Sequence, residues 1–271
     1  MIDVSNDAAE NLKELREKKP LIHNITNYVV MNFTANSLIA MGALPVMAHA
    51  ENEVEEMASI AGALVINIGT LSDPWIRAMF RAGHAANKNG VPIVLDPVGS
   101  GATSLRTETA KNLIDELDIA IIRGNASEVL SLSGEDSRTK GVDSIHSVED
   151  AAQAAVELSL ELNTVIAITG QRDLVTDGNT VFRVNNGHEL MGKVTGSGCA
   201  ATTAIAAFAA VNKKYVEAGA FALGYYGLAG QWSAMKHTSP GSFRVGLIDS
   251  LYEIGTEDLK AGLKLEVLHE S

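Results

Sequence analysis

Lys193-Val194-Thr195-Gly196-Ser197-Gly198-Cys199-Ala200 is a glycine-rich segment that runs without a break into an alanine-rich apolar stretch at 201–208. This pattern predicts a turn that opens a buried helix. The first turn of a helix carries backbone N–H groups with no partner inside the helix, at the positive end of the helix dipole. Glycine lets a backbone approach an anion closely because it has no Cβ. The segment therefore predicts an anion hole suited to phosphate, with these candidate catalytic residues: Gly196, Ser197, Gly198 and Cys199.

Cys199 is the single cysteine of the chain, so no internal disulfide is expected. One interpretation is an ordinary helix start with a buried thiol. The other is a base that takes a proton from a substrate hydroxyl. A free thiol, with a pKa of about 8.5, is a poor base at neutral pH, and we expect the helix terminus to lower that value.

Short apolar runs alternate with helix-length segments along most of the chain, which predicts a mainly parallel sheet with helices on both faces, a three-layer α-β-α fold. Asp173 to Val184, split by Asp177-Gly178-Asn179, predicts a hairpin at the sheet edge. The segment after the glycine-rich stretch is predicted to contain two more helices, a loop at His237 to Ser242 and a terminal strand at Leu263 to Leu268. The main strand runs are Leu21–Asn27, Ala43–Met47, Ala63–Ile68, Pro92–Asp96, Ile119–Ile122 and Thr164–Thr169.

Composition limits the classes of protein to consider. With 271 residues, 46% of them hydrophobic, the chain suits one compact domain over residues 1–271. Its net charge of -12 argues against a nucleic-acid or acidic-membrane partner. The apolar region Val216 to Met235 contains Glu217, Gln231 and four glycines, so a buried helix is expected there and not a membrane span. The first seven residues lack the pattern of a signal peptide, and we expect a cytoplasmic protein. The polar segment Gly134 to Ser147 predicts a mobile loop.

Ligands of such parallel sheets bind beyond the carboxyl ends of the strands. In this sequence those ends carry Gly69, Asp96, Arg123 with Asn125, and Thr169. An arginine directly after an apolar strand is a candidate for gripping phosphate, although such residues are more often solvated. The same edge therefore collects most of the residues that could do chemistry.

Asn125 and Glu128 admit two interpretations. Asn three residues before Glu is a capping-box pattern, which the spacing alone favours. The alternative is that both side chains, one helical turn apart, support Mg²⁺ together with Asp96, because this ion prefers hard oxygen ligands and keeps part of its hydration shell. The sequence leaves the choice open.

Several familiar catalytic patterns are absent from the sequence. The glycine-rich segment does not close with the Gly-Lys-Ser/Thr of a Walker loop, and it does not match the dinucleotide-binding glycine pattern. The seven histidines lack metal-ligand spacing, and no Gly-x-Ser-x-Gly nucleophile elbow is present.

Taken together, the motifs resemble those of the hydroxyethylthiazole kinase family, within the ribokinase-like superfamily. The resemblance covers nearly the whole sequence, and several of its motifs are specific to thiazole kinases. It rests on His23–Asn27, Asn32–Asn36, Gly42–Met47, Asn67–Leu71, Leu95–Gly99, Arg123–Glu128, Ala167–Gly170 and Val194–Cys199.

The resemblance implies a reaction and a set of roles. Members of the family phosphorylate the primary alcohol of 4-methyl-5-(2-hydroxyethyl)thiazole with MgATP, in thiamine biosynthesis and salvage, and they form homotrimers with active sites between subunits. By similarity, the residues around the thiazole would be Asn27, Met47, Gly69 and Gly196. Those contacting ATP would be Arg123 and Thr169, and those organising Mg²⁺ would be Asp96, Asn125 and Glu128. The wider superfamily usually has Asp at the place of Cys199, which puts the strength of a thiol base in doubt.

Three alternatives remain open at the level of sequence. A nicotinamide-nucleotide-hydrate dehydratase has a similar fold, but the motifs at residues 23–47 do not suit so large a substrate. A non-catalytic nucleotide-binding protein would not need Asn125, Glu128 and the anion hole together. A cysteine hydrolase would need a histidine partner for Cys199, and the sequence places none.

Overall fold

A computed structural model describes residues 4–133 and 148–270. The segment predicted to be a mobile loop, 134–147, lies outside the described residues. Nine strands of the described residues form one sheet in the order β2-β1-β3-β4-β5-β6-β7-β8-β9. The strands are β1 (Leu21–Ile25), β2 (Leu44–Val46), β3 (Ala63–Asn67), β4 (Ile93–Asp96), β5 (Ile121–Asn125), β6 (Val165–Thr169), β7 (Asp173–Thr176), β8 (Thr180–Val184) and β9 (Leu265–Glu270).

The sheet is mainly parallel. Strands β1 to β6 pair in parallel, whereas β7, β8 and β9 add in antiparallel fashion at one end. The α-helices are α1 (Val4–Lys18), α2 (Met31–Met41), α3 (Val54–Ile60), α4 (Asp73–Lys88), α5 (Ser104–Glu116), α6 (Ala126–Leu130), α7 (Val148–Leu162), α8 (Ser197–Ala209), α9 (Tyr215–Lys236), α10 (Pro240–Glu253) and α11 (Thr256–Gly262), with a 3₁₀ turn at Glu189–Lys193.

The two faces of the sheet bury separate apolar cores because neighbouring residues of a strand point to opposite faces. Val65 packs in a core formed with α8 and α9, while its neighbours Leu64 and Ile66 pack in a second core with α4, α5 and α7. The predicted three-layer α-β-α architecture is therefore confirmed. Short apolar strands buried on both faces explain why the sequence shows continuous apolar runs and not alternation.

Three details of the prediction are wrong. The hairpin of β7 and β8 exists, but it does not lie at the edge, because β9 pairs with β8 and takes the edge position. The loop predicted at His237 to Ser242 ends early, since α10 begins at Pro240, a residue that is well suited to a first helical turn. A further helix, α11, precedes β9, so three helices and not two follow α8.

Helix α9 is buried along most of its length, as expected for Val216 to Met235. Its glycines allow close packing: a Cβ at Gly227 would stand 2.7 Å from the backbone of Asn186. Within the described ranges, no helix combines the length and apolarity needed to cross a bilayer.

Candidate active site

The N-terminus of α8 is the centre of the candidate site. Gly196 precedes the helix in the left-handed conformation, with φ of +87°, and a Cβ there would stand 2.6 Å from Val30. Glycine is therefore required both for the turn and for the contact. Among the described residues, no acceptor receives the backbone N–H of Gly198 or of Cys199. These two N–H groups are available to an anion, and the anion hole at Gly196 to Cys199 stays a prediction.

Arg123 lies directly against this helix terminus. A Cβ at Gly198 would stand 2.8 Å from its Nη1 atom, so only glycine lets the guanidinium approach the helix so closely. The Arg123 Nη2 atom donates to the Thr169 hydroxyl, and Nη1 lies 3.9 Å from Asp96 Oδ1. The Arg123 Nε atom is buried without a partner in the described part of the chain. A largely buried positive charge thus adjoins two free N–H groups, which favours an anion between them.

A cavity of about 730 Å³ opens beside Arg123 and α8. Four of the predicted site residues line it: Arg123, Thr169, Ser197 and Gly198. The rest of the wall comes mainly from Asp173, the segment 185–192 before α8, and Leu223, Tyr226 and Gly227 of α9. The cavity is not lined by Cys199 or by the predicted thiazole residues Asn27, Met47 and Gly69. The predicted ATP residues and these thiazole residues therefore lie on different sides of the α8 terminus.

On the other side of the terminus, an amide network surrounds Cys199. The Asn67 amide nitrogen donates to Asp96 Oδ2 at 2.7 Å and to Cys199 Sγ at 3.2 Å. The Asn67 amide oxygen accepts from Asn27 Nδ2 at 2.8 Å and from the backbone N–H of Gly69 at 2.9 Å. Asn27 Nδ2 also lies 3.5 Å from Cys199 Sγ. The structure therefore brings Asn27, Gly69, Asp96 and Cys199 together through Asn67.

The expectation that the pKa of Cys199 is lowered is wrong. Burial first, and then the negative charge of Asp96, raise the pKa of the thiol to about 11. The hydrogen bonds from Asn67 and Asn27 and the charge of Arg123 act in the opposite direction but do not compensate. At pH 7 a thiol of this pKa is ionised in about one molecule in ten thousand. Cys199 is therefore a neutral thiol in this protein at physiological pH.

Asp96 is completely buried. Burial raises the pKa of its carboxyl group, and Glu128 adds to this, whereas Arg123, Thr202 and Asn67 act to lower it. Its Oδ2 atom accepts from Asn67 and from the Thr202 hydroxyl at 2.9 Å, while Oδ1 has no hydrogen-bond partner among the described residues. Asp96 Oδ1 lies on the side of Arg123 and is the carboxylate oxygen available to a ligand.

Asn125 and Glu128 form the capping box that their spacing favoured. The Asn125 side chain accepts from the Glu128 backbone N–H, and the Glu128 carboxylate accepts from the Asn125 backbone N–H, each at 2.9 Å. The same carboxylate also accepts from the backbone N–H of Gly99 at 2.9 Å. In the described residues, no group of three or more His, Cys, Asp or Glu side chains could hold a metal ion by itself.

Gly69 and Met47 complete the set of predicted residues. A Cβ at Gly69 would stand 2.6 Å from Asn27 Nδ2, so the two residues are in close contact. Met47 follows β2 and makes none of the hydrogen bonds of the amide network. The following residue, Ala48, has its carbonyl 2.8 Å from the buried ring of His23, which holds this segment beside β1.

Four residues of the site were not predicted. Asn67 ends an apolar strand two residues before Gly69, and Thr202 lies on the alanine-rich helix three residues after Cys199. Their closeness in sequence to these predicted residues is the signal that could have identified them. Arg106 of α5 donates to the carbonyls of Ile68, Gly69 and Val98 and so ties together the loops after β3 and β4. Asp173 lines the cavity, and burial raises the pKa of its carboxyl to about 6 although Gly170 and Arg123 act to lower it.

Comparison with solved structures defines the class of protein. A ribokinase-like superfamily protein from Enterococcus faecalis V583 superposes with a TM-score of 0.64, covering 92% of this chain and 89% of its own at 14% sequence identity. This likeness shows the fold. The protein has the three-layer ribokinase-like fold, with its candidate site at the carboxyl ends of the strands.

Sequence similarity then gives the family. The model of the hydroxyethylthiazole kinase family matches residues 12–257. The chain is 56% identical over 266 residues to a hydroxyethylthiazole kinase from Desulfotalea psychrophila, covering 98% of this chain and 97% of the relative. It is 43% identical to the solved hydroxyethylthiazole kinase protein from Pyrococcus horikoshii OT3, with a TM-score of 0.90 and coverage of 97% and 99%. The chain belongs to the hydroxyethylthiazole kinase family, as its motifs predicted, and these relatives favour neither the dehydratase nor the non-catalytic alternative.

Proposed function

We propose that this protein transfers the γ-phosphoryl group of ATP to the hydroxyl of 4-methyl-5-(2-hydroxyethyl)thiazole. The observation that carries the proposal is that the α8 terminus has two sides. Gly198 lines a cavity large enough for a nucleotide, and Cys199 contacts Asn27, which in turn packs against Gly69. A phosphoryl group held by the N–H groups of α8 lies between these two sides. Membership of the hydroxyethylthiazole kinase family supports the choice of acceptor.

ATP occupies the cavity on the side of Thr169. Arg123 and the free N–H groups of Gly198 and Cys199 offset the negative charge of the transferring phosphoryl in a protein whose net charge is -12. Phosphoryl transfer depends mainly on positioning and charge neutralisation, and preorganised donors of this kind are its principal source of rate.

Mg²⁺ accompanies ATP in this proposal. It needs only one or two carboxylates besides phosphate and water, and the unpartnered Oδ1 of Asp96 together with the carboxylate of Glu128 fits that requirement. Asn125 holds Glu128 in place through the capping box. When bound, the ion neutralises phosphate charge, which polarises the bond to the leaving group.

The thiazole alcohol lies beside Asn27, Met47, Gly69 and Gly196, with its hydroxyl near Cys199. Because the thiol is neutral at pH 7, Cys199 orients the alcohol oxygen and does not remove its proton beforehand. A loose phosphoryl-transfer transition state makes little demand on a base. The alcohol proton therefore leaves late, as the new O–P bond forms and the bond to ADP breaks, and passes to an oxygen of the transferred phosphoryl group. This assigns Cys199 a role in positioning, in contrast to the base that was one of the two interpretations of its sequence.

The assembly and pathway follow the family. We propose a homotrimer with active sites between subunits, acting in thiamine biosynthesis or salvage in the cytoplasm. The exposed side chains of Tyr28 and Val29, each 64% exposed, support an interface next to Asn27. Light scattering tests the assembly: a mass three times that of the 28.6 kDa chain agrees with the proposal, and a monomer contradicts it.

Product analysis tests the activity. The purified protein is given MgATP with the thiazole alcohol, with a hydrated nicotinamide nucleotide, or with no acceptor, and ADP and phosphate esters are quantified. We expect ADP and thiazole monophosphate in equal amounts with the first acceptor alone. Turnover of the hydrated nucleotide would favour a dehydratase, and ligand binding without ADP would indicate a non-catalytic protein.

A further inference from the structure

We propose that Asn67 is a positioning residue of this active site. It fixes Cys199 and Asp96 relative to the two proposed thiazole-binding residues that it contacts, Asn27 and Gly69. The inference deepens the proposed function and rests on it for the identity of the alcohol. Asn67 ends β3 and is 1% exposed, and no sequence motif gave it a role. It touches no part of the proposed ATP cavity.

The orientation of the Asn67 amide is determined by its neighbours. The backbone N–H of Gly69 can only donate, so the amide oxygen must face it. The amide NH₂ therefore faces Asp96 Oδ2 and Cys199 Sγ. With Asn27 as the second donor to its oxygen, all four hydrogen-bonding positions of the amide are filled. A buried amide with every position filled is held in one orientation.

Asn27 is oriented in the same way. Its amide oxygen accepts from the backbone N–H of Val29 at 3.1 Å, so its NH₂ faces Asn67 and Cys199. The sulfur of Cys199 thus receives N–H groups from two amides. Among the described residues, no acceptor receives the thiol hydrogen, which leaves it available for the alcohol oxygen.

The network also joins the two sides of the site. Asn67 contacts Asp96 on the proposed metal side and Asn27 and Gly69 on the proposed thiazole side, with the sulfur between them. If Asn67 were absent, Asp96 Oδ2 would keep only Thr202, and the sulfur would keep only the longer contact to Asn27. The relative placement of alcohol, sulfur and carboxylate would then no longer be fixed.

A double-mutant cycle between Asn67 and Cys199 tests the proposal. Asn67→Ala should lower kcat by up to about tenfold, with the KM for ATP within about twofold of the parent, because the nucleotide cavity is untouched. In a Cys199→Ala background the same substitution should lose most of its effect, since the sulfur that it positions is gone. A merely structural role for Asn67 would lower kcat by the same factor in both backgrounds, and this result would overturn the proposal.

Thr202→Val is the matched control, because it removes the other donor to Asp96 Oδ2 without touching the sulfur. Thr202→Val should lower kcat by the same factor in the parent and in the Cys199→Ala protein. The smaller loss of kcat that Asn67→Ala still causes in the Cys199→Ala protein should equal this factor. If Asn67→Ala does not fold, Asn67→Ser replaces it in the cycle, with the same criterion. A serine hydroxyl can donate to only one of the two acceptors, Asp96 Oδ2 or Cys199 Sγ. We therefore expect Asn67→Ser to lose less kcat than is predicted for Asn67→Ala.

The cycle can also be measured without substrate. The combined shift in Tm of the Asn67 and Cys199 variants should be smaller than the sum of the single shifts, whereas Thr202→Val and Cys199→Ala should come closer to additivity, because the Thr202 hydroxyl contacts Asp96 and not the sulfur. Additive shifts for Asn67 and Cys199 would count against the proposal. If the parent protein forms no ADP with the thiazole alcohol, the proposed function fails, and this measurement still decides whether Asn67 positions the sulfur.

Discussion

The Arg123 guanidinium packs on Gly198 so closely that a Cβ at Gly198 would stand 2.8 Å from its Nη1 atom. Arg123 follows the buried part of β5, and Gly198 lies in the first turn of α8, 75 positions later in the chain. Their contact joins a fixed positive charge to the free N–H groups of a helix terminus. The absence of a side chain at Gly198 is therefore what allows the charge of Arg123 to lie against the helix terminus.

Gly198→Ala should displace Arg123 from the helix terminus and lower kcat/KM for ATP by about 100-fold, a loss typical of removing one charge-stabilising donor. Gly241→Ala is the matched control, because a Cβ at this exposed helical position meets nothing within 4 Å. Steady-state kinetics of the two variants measure the difference. Equal kinetics for both would mean that the contact has no role in binding or transfer.

Cys199→Ala should lower turnover by no more than about tenfold, the cost of losing one hydrogen bond to an uncharged partner. Loss of a general base would cost about 100- to 10,000-fold. Because burial and Asp96 raise the pKa of the thiol to about 11, the log of kcat/KM for the alcohol should stay flat between pH 7 and 9 in both proteins. A rise with unit slope in the parent, absent from Cys199→Ala, would show that the thiolate is the base after all.

Arg106→Lys should raise the KM for the thiazole alcohol about tenfold and leave the KM for ATP within about twofold. The guanidinium donates to the carbonyls of Ile68, Gly69 and Val98, and a lysine cannot reach all three. Loss of hydrogen bonds from a charged donor is worth about 1.5 to 3 kcal/mol. Arg81→Lys, which alters only an exposed ion pair with Glu55, is the control and should behave as the parent. An unchanged KM for the alcohol in Arg106→Lys would show that the loops after β3 and β4 have no part in binding the alcohol.

Asp173→Asn should tighten ADP binding several-fold at pH 8 and have little effect at pH 5. Burial raises the pKa of Asp173 to about 6, so its carboxyl carries a negative charge in the cavity above that pH and is neutral below it. The ionised form repels the diphosphate and draws on the charge of Arg123. Calorimetric titration at each pH gives the Kd of ADP for the parent and for Asp173→Asn. The ratio of these two Kd values is compared between pH 8 and pH 5, because the protonation of ADP itself affects both proteins alike. A ratio independent of pH would remove Asp173 from the nucleotide site.

The fold was predictable because its signals are local. Apolar runs bounded by Gly or polar residues mark the central strands, and Gly42 ends α2 in the left-handed conformation that favours glycine. The interior position of the hairpin, with β9 outside it, was not predictable in this way. Val184 pairs with Leu265, 81 positions later, and no local pattern in the hairpin itself reports a partner so distant.

The positions of residues around the candidate site were predictable where a strand end and a motif coincide, as at Asp96, Arg123 and Thr169, while the roles of these residues stay predictions. Asn67 lies at an equivalent strand end, but an asparagine there has many structural uses, and only the contacts with Asn27, Asp96 and Cys199 distinguish it. The pKa of Cys199 shows a limit of another kind. The helix terminus alone suggested a lowered value, whereas burial and a carboxylate from a strand about 100 positions earlier determine its direction.

The most direct test of the account compares the thiazole alcohol with 4-methyl-5-ethylthiazole, which has the same ring and lacks only the hydroxyl. The protein is incubated with MgATP and either compound, and ADP and phosphorylated thiazole are measured together. We expect one thiazole monophosphate for each ADP with the alcohol, and with the ethyl compound only the background ADP formed without any acceptor. Equal ADP formation with both compounds would contradict the central claim that α8 directs the phosphoryl group to the thiazole hydroxyl.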